Sequence, residues 1–140
     1  MPFLGFDHVD LRVPSLAAVE AFYGALLPRL GLTRKSYAYV DPRGDWFAGT
    51  PERYNAVEWY EERAQGRPLF VGVIEDQDMA VVRTRLAFRV AGVSELERWL
   101  PVLRELGAHA PEIERRETSV SLFFADPLGT RLELVAAAGR

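Results

Sequence analysis

Two periods run along the chain. Side chains that alternate apolar and polar with period two mark half-buried strands, while apolar residues spaced three and four apart mark amphipathic helices. Phe6 to Val13 reads as a strand with Val9, Leu11 and Val13 on one face and His8, Asp10 and Arg12 on the other. Pro14 breaks it, and Ser15 is placed to cap a helix whose Leu16, Val19, Phe22 or Tyr23, Leu26 and Leu30 form the buried stripe. Pro28 removes a backbone donor near the end of that helix, so a kink or an early stop is expected there, and Gly31 suits the terminus. Arg34 to Val40 is the next strand, closed by the turn-forming Asp41-Pro42-Arg43-Gly44. Ala56 to Tyr60 and Leu69 to Ile74 supply two more. Trp46, Phe47, Tyr54 and Trp59 lie in or beside irregular chain, where aromatic rings pack on the sheet or line a pocket.

The pattern then starts again. Arg85 to Val90 is a strand with Arg85, Ala87 and Arg89 on one face and Leu86, Phe88 and Val90 on the other. Ser94 to Glu97 has capping-box spacing and opens a helix with Leu96, Trp99, Leu100, Leu103 and Leu106 on its buried stripe. Pro101 should bend it and Gly107 ends it. Glu112 to Glu117, Val120 to Phe124 and Arg131 to Val135 are three further strands, the last two joined by a turn at Asp126-Pro127-Leu128-Gly129. In the final strand Arg131, Glu133 and Val135 share one face and Leu132 and Leu134 the other. Glu133 therefore either sits on a solvated outer face or is aimed into a cavity. Each half reads strand, helix, three strands: an α+β chain of two βαβββ modules, residues 1–78 and 79–140 of a single domain.

Composition narrows the chemistry. With 140 residues, nearly half of them hydrophobic, the chain can bury a sizeable core. A net charge of −3 without a long basic run argues against nucleic acid. No apolar run is long enough for a bilayer, and the opening residues lack the basic and apolar regions of a signal peptide, so a cytoplasmic protein is expected. The lack of cysteine excludes disulfides, thiolate ligands and a thiol nucleophile. A metal would have to be held by His, Asp or Glu, and the only histidines are His8 and His109. His109 follows a helix end, where exposed histidines are common.

The opening His8-Val-Asp-Leu-Arg-Val, Phe22-Tyr23 in the first helix and the closing Asp126-Pro-Leu-Gly-Thr-Arg-Leu-Glu133 together resemble the vicinal oxygen chelate superfamily of glyoxalase I, bleomycin-resistance proteins, fosfomycin-resistance enzymes and extradiol dioxygenases. The resemblance covers essentially the whole chain. It implies paired modules whose mixed sheets curl around a central cavity. In metal-using members, a divalent ion is held there by a histidine of the first strand, a residue opening the second module and a glutamate of the last strand. Carried over, the outer two positions fall on His8 and Glu133, but the middle one falls on Arg85, whose guanidinium has no lone pair to offer. Phe70, laid against Glu133 by matching Gly66 to Gly129, cannot replace it.

The resemblance therefore implies a degenerate metal site, with Arg85 expected to pair with Glu133 as its counter-charge. No cofactor is expected; a Zn, Ni, Mn or Fe ion on His8 and Glu133 is the alternative. If His8 and Glu133 face inward, strand alternation carries Asp10, Arg12, Arg85, Arg89 and Arg131 to the same side, with Phe70 beside them. That arginine excess suits a small ligand bearing a carboxylate, phosphate, enolate or phenolate, although a salt-bridged polar layer without a ligand fits the same residues. Three readings compete: a small-molecule binder; a metal-dependent lyase, isomerase or dioxygenase; and a metal-free acid–base enzyme with Glu133 as base, His8 as acid and Arg85 as oxyanion partner. Nothing in the sequence demonstrates turnover, which keeps the binder ahead. The resemblance also implies a homodimer, and no nucleic-acid or membrane partner is expected.

Overall fold

A computed structural model describes residues 1–139 and divides into two compact units, Met1–Met79 and the chain from Ala80 onward. The first unit contains β1 (His8–Val13), α1 (Leu16–Arg29), β2 (Leu32–Val40), β3 (Trp46–Ala48), β4 (Ala56–Glu61) and β5 (Phe70–Glu75). The second contains β6 (Arg85–Arg89), α2 (Val93–Glu105), β7 (His109–Arg115), β8 (Ser119–Ala125) and β9 (Arg131–Ala137). Each forms an open mixed sheet, ordered β1-β5-β4-β2-β3 and β6-β9-β8-β7. In both, the opening strand lies parallel to the closing one and the other pairs are antiparallel. The helix between the first and second strands supplies the crossover that a parallel pair needs.

Each helix covers one face of its own sheet. Leu16, Val19, Phe22, Tyr23, Leu26 and Leu27 of α1 are buried, as are Val57, Trp59, Val71 and Val73 of the sheet. Leu27 takes the place on the stripe that spacing assigns to Leu30, which is only half-buried. Pro28 falls in the last turn, where the helix stops one residue later, and Gly31 follows with a φ of 92°. At the other end Ser15 Oγ accepts from Ala18 N at 3.3 Å and Glu75 Oε2 from Leu16 N at 2.9 Å, satisfying two donors that an uncapped helix leaves bare. In the second unit Leu96, Trp99 and Leu103 of α2 are buried, together with Val120, Leu122, Phe124, Leu132, Leu134 and Ala136 of the sheet. Full burial of each such large side chain contributes roughly 1.5–3 kcal/mol.

Three local expectations need correction. The capping box at Ser94 does not form: α2 begins at Val93, its N-cap is Gly92 with no side-chain hydrogen bond, and Ser94 lies inside the first turn. An extended glycine, φ −164°, starts the helix before the serine can cap it. Second, β7 starts at His109 rather than Glu112, with an irregularity between His109 and Glu112 where Ala110 takes a φ of 44°. Third, the first unit has a strand, β3, without counterpart in the second. Asp41 causes it: Oδ1 accepts from Arg43 N and Asp45 N, both at 2.9 Å, while Gly44 N donates to Asp41 O at 2.9 Å and Asp41 N to Asp45 O at 3.0 Å. These bonds reverse the chain and lay Trp46–Ala48 back along β2. The same four bonds recur around Asp126, from Leu128 N (2.8 Å), Thr130 N (2.9 Å), Gly129 N (3.0 Å) and to Thr130 O (2.9 Å), where they join β8 to β9.

Candidate functional site

With one sheet face packed on its helix, the other face of each unit carries the polar residues. In the first unit the ladder aligns His8, Phe70, Tyr60 and Arg34 across four strands. Their planes stack: His8 and Phe70 centroids are 4.5 Å apart at 5°, Phe70 and Tyr60 are 4.6 Å apart at 31°, and Arg34 Cζ is 4.2 Å from the Tyr60 ring centre. Phe70 has a ring on each side, so it presents an edge rather than a stacking platform to a ligand.

One rung along, Asp10, Gly72, Glu58 and Ser36 align. A Cβ on Gly72 would stand 2.6 Å from Asp10 Oδ1, so the Asp10 carboxylate lies across the space that a side chain there would fill. Tyr60 Oη donates to Glu58 Oε2 at 2.6 Å; burial first, then this bond, pushes the phenol up to about 12. His8 is held from both sides: Nδ1 is 2.8 Å from Asp7 Oδ2, and Nε2 is 3.6 Å from Asp10 Oδ2. The hydrogen bond with His8, helped by the charge of Arg67 at 2.9 Å, lowers the Asp7 carboxyl below its ordinary value. Arg12 pairs with Asp76 at 3.6 Å.

In the second unit Arg98, Arg115 and Arg116 pair with Glu95, Glu97 and Glu114, but the arginines that share a face with Glu133 do not pair in this way. Leu132 and Leu134 are buried on the α2 side, so Arg131, Glu133 and Val135 occupy the other face, with Glu133 half-buried. Register sets Arg85 beside Arg131, Ala87 beside Glu133, Arg89 beside Val135, and Phe123 on the far side of Glu133. The expected Arg85–Glu133 ion pair is not made among the described residues. Arg85 instead places Cζ 4.6 Å from the centre of the Phe123 ring. Two like charges side by side on parallel strands repel, and the face of Phe123 attracts a guanidinium that remains in contact with water. Arg89 and Arg131 also make no ion pair with a described carboxylate.

The register also corrects the correspondence between units. His8 pairs with Phe70 and Arg85 with Arg131, so when His8 is laid on Arg85 the counterpart of Glu133 is Gly72, two residues beyond Phe70. Glycine supplies no donor there either. Among the described residues no three His, Asp or Glu side chains gather as a metal-holding group. His109 Nε2 lies 3.0 Å from the Pro127 carbonyl oxygen, tying the start of β7 to the Asp126 turn.

Asp7 and Phe123 are the neighbours that the sequence reading passed over. Counting back across the Asp126 turn pairs residue 123 with 133, so Phe123 was within reach. Asp7 lies within the strand expected from Phe6, where alternation puts it on the apolar face with Val9; β1 begins only at His8, so that period does not place its carboxylate.

The geometry agrees with comparisons to known proteins. A model of the Glyoxalase/Bleomycin resistance protein/Dioxygenase superfamily matches residues 5–134. Among solved structures, an integron cassette protein from the mobile metagenome of the Halifax Harbour sewage outfall is 25% identical, with 96% of this chain and 99% of that one covered at a TM-score of 0.58. Lactoylglutathione lyase from Agrobacterium tumefaciens is 18% identical, with 96% and 95% covered and a TM-score of 0.62. The fosfomycin resistance protein FosX from Listeria monocytogenes, complexed with Mn(II) and sulfate, is 18% identical, with 98% and 95% covered and a TM-score of 0.59. No curated protein matches the chain. No helix is long and apolar enough to cross a membrane among the described residues. With the family model spanning nearly the whole chain and a strand–helix–sheet unit in each half whose last strand returns parallel to its first, this chain belongs to the glyoxalase/bleomycin resistance/dioxygenase superfamily.

Proposed function

We propose that this member binds a small anionic molecule and uses no three-ligand metal centre. The observation that carries the reading is the side-by-side placement of Arg85 and Arg131, with Arg89 on the same face and no described carboxylate paired to any of the three. Adjacent guanidiniums on neighbouring strands cost free energy unless an anion lies between them, and the fork geometry of Arg suits a carboxylate or phosphate. Phe123 and half-buried Glu133 border the same face, the first as an apolar contact and the second as a hydrogen-bond acceptor for a ligand hydroxyl. Arg85 in place of a neutral donor supports the degenerate site, since a guanidinium beside a divalent ion is repulsive.

The test pairs metal analysis with a thermal-shift screen. Protein purified without chelator should carry no stoichiometric divalent ion. Oxalate, malonate or phosphonoacetate at a hundred times its dissociation constant should stabilise by about 2.7 kcal/mol. Arg85→Gln and Arg131→Gln should each lose that shift while Arg12→Gln keeps it. A stoichiometric metal, or shifts indifferent to both variants, would overturn the reading. A second reading, metal-free acid–base chemistry, draws on the Asp7–His8 contact of 2.8 Å, because a carboxylate on Nδ1 fixes which imidazole nitrogen is left to handle a proton.

A further inference from the structure

The β2–β3 hairpin of the first unit borders a cavity of about 590 Å³ lined by Tyr39, Asp41, Phe47, Ala48, Thr50 and Arg53. It lies on the α1 side of the sheet, away from His8. Ala38 belongs to the rung of Ala56, Ile74 and Arg12, and Tyr37 and Tyr39 alternate to the opposite face, where Tyr37 meets Tyr54 and Tyr54 Oη donates to Glu20 of α1 at 2.7 Å. The walls are fixed by backbone. Gly49 passes so close to β2 that a Cβ would stand 2.9 Å from the Ala38 backbone, and Gly49 N donates to Tyr37 O at 3.0 Å. Thr50 and Arg53 exchange two backbone hydrogen bonds of 3.0 Å, closing a tight loop. Asn55 holds the loop's return with side-chain bonds of 2.7 Å to both Val40 N and Val40 O.

That loop puts Arg53 over the Tyr39 ring, Cζ 4.6 Å from its centre, and gives it no described carboxylate partner. Phe47, the cross-strand neighbour of Tyr39, is 55% exposed. An exposed aromatic ring beside a guanidinium without a carboxylate partner is complementary to a flat ring carrying a carboxylate: the ring lies against Phe47, and the carboxylate takes the Arg53 fork where it rests on Tyr39. Asp41 places a carboxylate at the same rim, its Oδ1 bound by two backbone N–H groups, which disfavours a dianion such as a phosphate monoester.

We infer that this cavity is a second binding site, taking a planar aromatic monocarboxylate. It shares no residue with the anion site proposed on β6 and β9. The probe is 1-naphthoate, followed by saturation-transfer NMR and by amide shifts of the ¹⁵N-labelled protein. Shifts should centre on Tyr39, Phe47, Ala48 and Thr50. Arg53→Gln should weaken binding by about tenfold, the loss of a charged hydrogen-bonding partner. 1-Naphthamide should bind the wild type and Arg53→Gln equally, and Arg85→Gln should leave 1-naphthoate affinity unchanged. Phe47→Ala, also exposed, gives an independent check of the ring contact. No saturation transfer, shifts confined to β6 and β9, or equal 1-naphthoate affinity in Arg53→Gln would each overturn the site.

Discussion

Tyr60 shows how one residue's surroundings decide its chemistry. Its ring lies between Phe70 and the Arg34 guanidinium, and its hydroxyl donates to Glu58, so burial and then the hydrogen bond both favour the protonated phenol. Its ionisation rises from 10.0 to about 12. Because the folded value is raised, the stabilisation is fully present below pH 10 and is lost as pH climbs toward 12. The bond to Glu20 raises Tyr54 as well, so an ultraviolet titration of tyrosinate should show late-titrating groups of which the one near 12 disappears in Tyr60→Phe and moves earlier in Glu58→Gln. If Tyr60→Phe removes a group that titrates near 10, the Tyr60–Glu58 bond is not made. The sequence placed His8, Asp10 and Arg12 on one face correctly, since alternation alone decides that. It could not foresee that Phe70 would be covered on both faces, or that Arg85 would choose Phe123 over Glu133. Those outcomes depend on register between strands distant in the chain.

At the scale of elements, the Asp41 and Asp126 turns make the same four hydrogen bonds in different settings. Asp126 is fully buried, whereas Asp41 is only partly so. Removing the Asp126 carboxylate leaves the part-buried amides of Leu128 and Thr130 without their acceptor and vacates a buried position, while Arg43 and Asp45 remain exposed. We expect Asp126→Ala to cost about 3 kcal/mol or more and Asp41→Ala about 1 kcal/mol, measured as urea midpoints at constant slope. Equal losses would mean that burial does not set the difference. Both turns were legible in Asp-Pro-x-Gly, because Pro and Gly dictate their own backbone angles. The strand that follows the first was not. Trp46–Ala48 is short and has three exposed residues, so it carries no period, and its pairing follows from the turn rather than from its own pattern. The start of α2 was misplaced for a related reason: serine three residues before glutamate mimics a cap wherever it falls, and only the backbone at Gly92 shows where the helix begins.

Across the whole molecule, the apolar surface points to assembly. Phe3, Leu4 and Phe6 are 77%, 93% and 75% exposed, with the Phe3 and Phe6 rings 5.5 Å apart. They lead straight into β1, which ends its sheet, and Asp7 O accepts from Phe70 N at 3.3 Å, so the ladder already runs into this arm. Clustered large apolar side chains beside a sheet edge are costly to leave in water, and an edge strand offers unpaired backbone groups to another strand. A second copy presents the same arm and the same edge, so a two-fold arrangement satisfies both at once. We propose a homodimer joined through this segment. Sedimentation velocity at micromolar concentration should give a dimer for the wild type and a monomer for a variant carrying Phe3→Ser, Leu4→Ser and Phe6→Ser. Because these side chains bury almost nothing within the chain, the variant should keep the thermal midpoint that the wild type shows when diluted to monomer. A monomeric wild type, or a variant that still dimerises, would rule out this arm as the contact.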